Sequence, residues 1–95
     1  MDTINWENAA DCLRILAHPH RLKAVALLLE NEYSVGALAE ACNVLQNVMS
    51  EHLNLMKHKQ LIKARKRGRN VFYSVEEPAL AAIIGCIQKR FVHRE

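Results

Sequence analysis

Residues 34–75 read SVGALAEACNVLQNVMSEHLNLMKHKQLIKARKRGRNVFYSV, and this stretch decides the fold. Ser34 suits the N-cap of a short helix over 34–42 that carries Val35, Leu38 and Ala39. Asn43 can supply the positive φ that a tight turn needs. A second helix over about 45–59 follows, with Val48, Met49, His52, Leu53, Leu55 and Met56. The apolar step Leu61-Ile62 leads into Lys63-Ala64-Arg65-Lys66. Arg67-Gly68-Arg69-Asn70 then reads as a turn, and Val71-Phe72-Tyr73-Ser74-Val75 as a strand. Two strands around a glycine-containing tip make a hairpin. Helix, short turn, helix and hairpin together predict a helix-turn-helix unit with a wing.

Charge is concentrated in the same stretch. Residues 57–69 hold seven Lys or Arg and no acid. The net charges of 1–56, 57–69 and 70–95 are −4, +7 and 0, which make up the chain's net +3. One concentrated basic element on a small domain is the electrostatic footprint of a nucleic-acid binder. A solvated charged face is the bland alternative, and the helix-turn-helix pattern beside it favours the first.

The flanks complete the domain. Asp2 and Thr3 are N-cap candidates for a helix over 4–17. Its stripe is Trp6, Ala9, Leu13 and Leu16, with Ile4, Cys12 and Ile15 on a neighbouring face. Pro19 suits the first turn of a helix over 19–31, whose stripe is Leu22, Val25, Ala26 and Leu29. Pro78 opens a last helix, 78–92. Leu80, Ile83, Ile84, Ile87 and Phe91 form one face of it, and Ala79, Ala82 and Cys86 a second. At 95 residues about 60–65% of the unfolded surface is buried on folding. Two apolar arcs exceed what so small a domain hides against itself. One is expected on the core and the other on a second copy of the chain. The expectation is therefore a mainly α winged helix-turn-helix of five helices plus a two-stranded wing. It is a single domain over 1–95, and a homodimer through the flanking helices 4–17 and 78–92.

Other classes find little support. No run of eighteen apolar residues predicts a membrane span. The acidic start MDTINWENAADC lacks the apolar region of a signal peptide. Three widely spaced cysteines, Cys12, Cys42 and Cys86, fit a reducing cytoplasm better than a disulfide framework. No paired carboxylates, glycine-rich phosphate loop or nucleophile–base pair points to an enzyme.

In a helix-turn-helix the second helix enters the major groove with its N-terminal residues at base edges. Gln46, Asn47, Ser50, Glu51 and His52 are the candidates. The amides of Gln46 and Asn47 can pair bidentately with adenine. Glu51 would accept from a cytosine amine or repel phosphate, and His52 is expected to face a phosphate. On the wing, Lys63 and Arg65 on the entry strand and Lys66, Arg67 and Arg69 at the tip can straddle phosphates or enter the minor groove. The expected partner is a double-stranded DNA operator. A winged-helix module that docks protein is the alternative, and it has no need of the +7 segment.

Several segments carry a resemblance: Leu16-Ala17-His18-Pro19-His20-Arg21-Leu22, Ser34-Val35-Gly36-Ala37-Leu38-Ala39, Ser50, His52-Leu53, Gly68-Arg69 and Val71-Phe72-Tyr73-Ser74. Over about residues 13–75 the chain resembles the ArsR/SmtB family of bacterial winged-helix repressors. The resemblance implies a cytoplasmic dimer released from its operator by a metal, a metalloid or a thiol-reactive signal. Many members carry a serine cap and Ser-Gln-Ser at the start of the recognition helix, where this chain has Leu45-Gln46-Asn47. Asn43 or Asn47 is the candidate replacement for the lost cap.

The sensor patterns that the resemblance brings do not match. The stretch that holds a Cys-x-Cys pair in metal sensors is Tyr33–Leu38 here, without a thiolate or imidazole. The C-terminal helix that holds Asp, His and Glu in others offers His93 and Glu95. The two cysteine positions of reactive-sulfur sensors correspond to Ala26 and to about Val92. No metal site and no cofactor is expected. His18-x-His20 has ligand-like spacing but no third ligand nearby, and His18 reads better as the cap of the second helix. His52 and His58 lie on different helix faces. Cys42 reads as a small buried residue. Cys12 and Cys86, both on the flanking helices, remain as a possible thiol switch, with inert packing as the alternative.

Overall fold

The computed structural model describes residues 3–92. Asp2, His93 and Glu95 lie outside the described residues. Eight elements follow in order: α1 (Trp6–Leu16), α2 (Pro19–Glu30), β1 (Tyr33–Ser34), α3 (Val35–Cys42), α4 (Gln46–His58), β2 (Ile62–Arg67), β3 (Asn70–Val75) and α5 (Leu80–Phe91). The five helices and the hairpin are those the sequence predicts. The sheet differs, because β1 adds a third antiparallel strand and the order is β1-β3-β2. Tyr33 pairs with Tyr73 and Ser34 with Phe72, so the chain is stitched to the wing just before α3 begins.

Local chemistry sets the helix ends. Asn5 rather than Thr3 caps α1, its side chain accepting from the Asn8 backbone N–H at 3.1 Å. His18 caps α2 as expected, its Nδ1 accepting from His20 N–H at 3.1 Å, with Pro19 in the first turn. Ser34 Oγ accepts from Ala37 N–H at 3.2 Å and starts α3. α3 ends in a Schellman turn: Asn43 has φ 55°, Asn43 N–H donates to Glu40 O, and Val44 N–H donates to Ala39 O. α4 ends the same way at Gln60, with φ 62° and Leu61 N–H donating to Met56 O. The second left-handed residue is not a type the sequence would single out. α5 starts at Leu80 rather than at Pro78, after a turn in which Glu77 accepts from Ala79 N–H at 2.8 Å.

One core joins the elements. Ala24, Val25 and Leu28 of α2 meet Leu38 and Ala39 of α3 and Met49, Leu53 and Met56 of α4. Leu61, Ile62 and Tyr73 close the sheet side, and Leu80 and Ile84 of α5 lie over α2. The buried face of α2 is thus rotated from the expected stripe, with Leu22, Ala26 and Leu29 half-buried at its margins. α1 departs further. Of Trp6, Ala9, Leu13 and Leu16, only Leu16 is buried, while Cys12 and Ile15 pack against the core. Periodicity shows that a helix has an apolar face but not what lies opposite it.

Candidate nucleic-acid interface

α3, the Asn43 turn and α4 form the expected helix-turn-helix, and α4 packs on β2 so that the wing follows it directly. The start of α4 is open. Leu45 occupies the N-cap position with extended backbone and makes no side-chain hydrogen bond. Neither Asn43 nor Asn47 replaces that cap. Gln46, Asn47 and Glu51 are exposed and Ser50 is half-buried, one turn apart on the outward side of the helix. Gly36 of α3 makes room for Gln46: a Cβ there would sit 2.8 Å from Gln46 Nε2.

His52 belongs to a different environment. It is 8% exposed, and its Nδ1 accepts from Arg21 Nε at 3.0 Å. Arg21 also donates to the Ile15 carbonyl at 3.0 Å, tying the end of α1 to α2 and α4. The rings of His18 and His20 lie 4.4 and 5.7 Å from that of His52. Burial, then the His18, Arg21 and His20 charges, push the His52 pKa down, with Glu51 opposing. Burial, then Arg21 and His20, do the same to His18. His52 is thus mostly buried and anchored to Arg21, unlike the exposed Gln46, Asn47 and Glu51.

The wing displays its cations unequally. Lys63, Arg65, Lys66, Arg67 and Arg69 are all exposed, and Gly68 makes the tip with φ 59°. Arg67 and Arg65, however, both point at Glu32, a residue just ahead of β1 that the sequence did not single out. Lys63, Lys66 and Arg69 have no ion pair among the described residues.

The three thiols are dispersed. Cys12 is half-buried in a groove with Lys59, Gln60, Glu76 and Glu77, whereas Cys86 is exposed on α5 beside Ala82, Gly85, Lys89 and Arg90. One protomer does not bring these two together in one groove. Cys42 is buried, and burial raises its pKa against the opposing Lys23 charge. Among the described residues no group of three or more His, Cys, Asp or Glu is arranged to hold a metal ion. No helix among them is long and apolar enough to cross a membrane.

No protein-family model matches the chain. Individual proteins do. The transcriptional activator HlyU of Vibrio cholerae is 30% identical over 87 residues, covering 92% of this chain and 81% of the relative. The structure of reduced HlyU superposes with a TM-score of 0.85 at 29% identity, covering 94% of each chain. A transcriptional repressor SmtB homolog of Synechocystis is 34% identical over 71 residues, which are 75% of this chain and 54% of the relative. A homodimeric winged helix-turn-helix DNA-binding domain of Mycobacterium bovis, described as a possible ArsR-family regulator, shares the fold. Its TM-score is 0.78 at 24% identity, covering 95% of this chain and 90% of that one.

Proposed function

The chain belongs to the ArsR/SmtB family of winged-helix transcriptional regulators, and from that premise we propose that it binds an operator in duplex DNA as a homodimer. It is not an enzyme. The observation that carries the proposal is the open start of α4, where exposed Gln46 and Asn47 stand beside a basic hairpin. In this reading α4 lies in the major groove, with Gln46, Asn47, Ser50 and Glu51 at base edges. Lys63, Arg65, Lys66, Arg67 and Arg69 hold the flanking phosphates, and Lys63, Lys66 and Arg69, which make no ion pair among the described residues, are the readiest of them. The chain acts in the cytoplasm, and its mode is repression by occupying a palindromic site; relatives named as repressors support repression, while HlyU is named as an activator.

Two-fold symmetry requires half-sites about one helical turn apart. Affinity for duplex DNA should fall roughly 10³-fold or more between about 50 and about 200 mM salt, measured by fluorescence anisotropy. A flat salt response would contradict the proposal. Gln46→Ala should relax sequence preference by about 1–3 kcal/mol, whereas Arg69→Ala should weaken all sequences alike. If both changes altered preference equally, the division between helix and wing would be wrong. A thiol-responsive form of the same regulator would run through Cys12 and Cys86. The double Cys12→Ser, Cys86→Ser variant tests it, because oxidant should then no longer release DNA.

A further inference from the structure

We propose that Glu32 is a positioning residue of the wing, which holds Arg65 and Arg67 against the protein and so limits the wing's sequence-blind grip on phosphate. The inference rests on the DNA-binding reading and adds a specificity determinant to it.

Residues paired across antiparallel strands share a face. Lys63 pairs with Ser74, Arg65 with Phe72 and Arg67 with Asn70, so three of the four cations of β2 share one face of the hairpin, and Lys66, paired with Val71, lies on the other. The opposite face carries Ile62 and Tyr73 into the core. Glu32 precedes the strand that β3 pairs with, so its side chain reaches the cationic face from a fixed backbone. Glu32 Oε1 accepts from Arg67 Nη2 at 2.6 Å, and Oε2 lies 3.6 Å from Arg65 Nη2. The Arg67 guanidinium also lies 5.4 Å from the centroid of the Phe72 ring. The Glu32 side chain is 33% exposed, against 64% for Arg65 and 54% for Arg67, so the acid is the better anchored partner.

Exposed pairs of this kind are weak, and phosphate can displace the carboxylate. The displacement still has a consequence. An arginine that leaves Glu32 for DNA strands a carboxylate, which takes up a cation and offsets counterion release. Binding through these two arginines is therefore weaker and less salt-dependent than their charge suggests. Base contacts from α4 do not bear that cost. Removing Glu32 should raise affinity for DNA of any sequence and dilute the share of binding that α4 contributes.

The test uses the full chain and a labelled duplex of mixed sequence, titrated by anisotropy from about 50 to about 200 mM salt. Glu32→Gln should bind about three- to tenfold more tightly at the lowest salt, with a log–log salt slope steeper by about 1 or more. Glu32→Asp keeps the charge but loses reach, and it should also tighten binding. Glu30→Gln makes the same charge change on the exposed end of α2, and it should do less. The decisive measurement is a cycle with the double variant Arg65→Ala, Arg67→Ala. Its loss of affinity should be larger in the Glu32→Gln background than in wild type. Additive losses, or Glu32→Gln binding no better than Glu30→Gln, would overturn the role of Glu32 while leaving DNA binding intact. A wild-type chain with no salt-sensitive binding would overturn the DNA reading and this inference with it.

Discussion

A proton added to His18 or His52 enters a half-enclosed space that already holds the Arg21 guanidinium. Both side chains titrate lower in the folded chain than the value of about 6.5 expected for an unfolded histidine. The unfolded chain therefore binds more protons at mildly acidic pH. The stability tied to these rings is fully present above about pH 6.5 and falls as pH drops through that value toward the lowered folded ones. The Tm should hold steady between about pH 8 and 7 and decline between about pH 6.5 and 5. His52→Gln, which can still accept from Arg21, should flatten part of the decline. An equal decline in that variant would remove His52 from the explanation. The sequence showed half of this arrangement. His18 is legible as a cap because Pro19 follows it. His52 is not, because its partner Arg21 stands 31 residues earlier and only the packing of α4 on α2 brings them together. Glu32 was hidden for the same reason, since its arginines are 33 and 35 positions away along the chain.

The elements that periodicity and capping specify locally are those the sequence places well: α3 with its Ser34 cap, the Asn43 turn, α4 and the basic hairpin. Those that depend on a remote partner are not. β1 is two residues long and exists only because β3 lies beside it. Gln60 turns the chain from α4 into β2 in a conformation usually left to Gly or Asn, so no residue type announces it. The start of α4 is a junction that local chemistry can repair. Leu45 is 70% exposed, has extended backbone suited to a cap, and offers no acceptor to the first turn. Leu45→Ser supplies the missing oxygen without removing anything from the core. It should stabilise the fold by about 0.5–2 kcal/mol, read from the midpoint of urea unfolding at unchanged slope. No gain in midpoint would mean that the first turn of α4 is already satisfied in solution.

At the scale of the molecule, five of the eight large apolar side chains left exposed among the described residues gather on the two end helices, while Leu45, Leu55 and Val71 lie on α4 and the wing. Ile4, Trp6 and Leu13 lie on or beside α1, and Phe91 and Val92 end α5; Trp6 is 73% and Phe91 72% exposed. Single exposed apolar residues need no explanation, but an accumulation on two helices at the ends of the chain does. Leu80 and Ile84 already spend one face of α5 on the core, so Phe91 and the Ala82–Cys86 side are free for a second copy. Such a dimer fixes the distance between two α4 helices and lets them engage two half-sites at once, which multiplies their affinities rather than adding them. Phe91→Glu separates this role from folding. Its side chain is outside the protomer core, so the helical circular dichroism should persist. A carboxylate pressed into an apolar interface without a partner is costly, so the variant should sediment as a monomer where the wild type sediments as a dimer. Its affinity for a two-half-site duplex should fall by about two orders of magnitude or more, with far less change on a single half-site. A Phe91→Glu protein that stays dimeric would move the interface away from the end of α5, and a wild-type chain that is monomeric at micromolar concentration would remove it altogether.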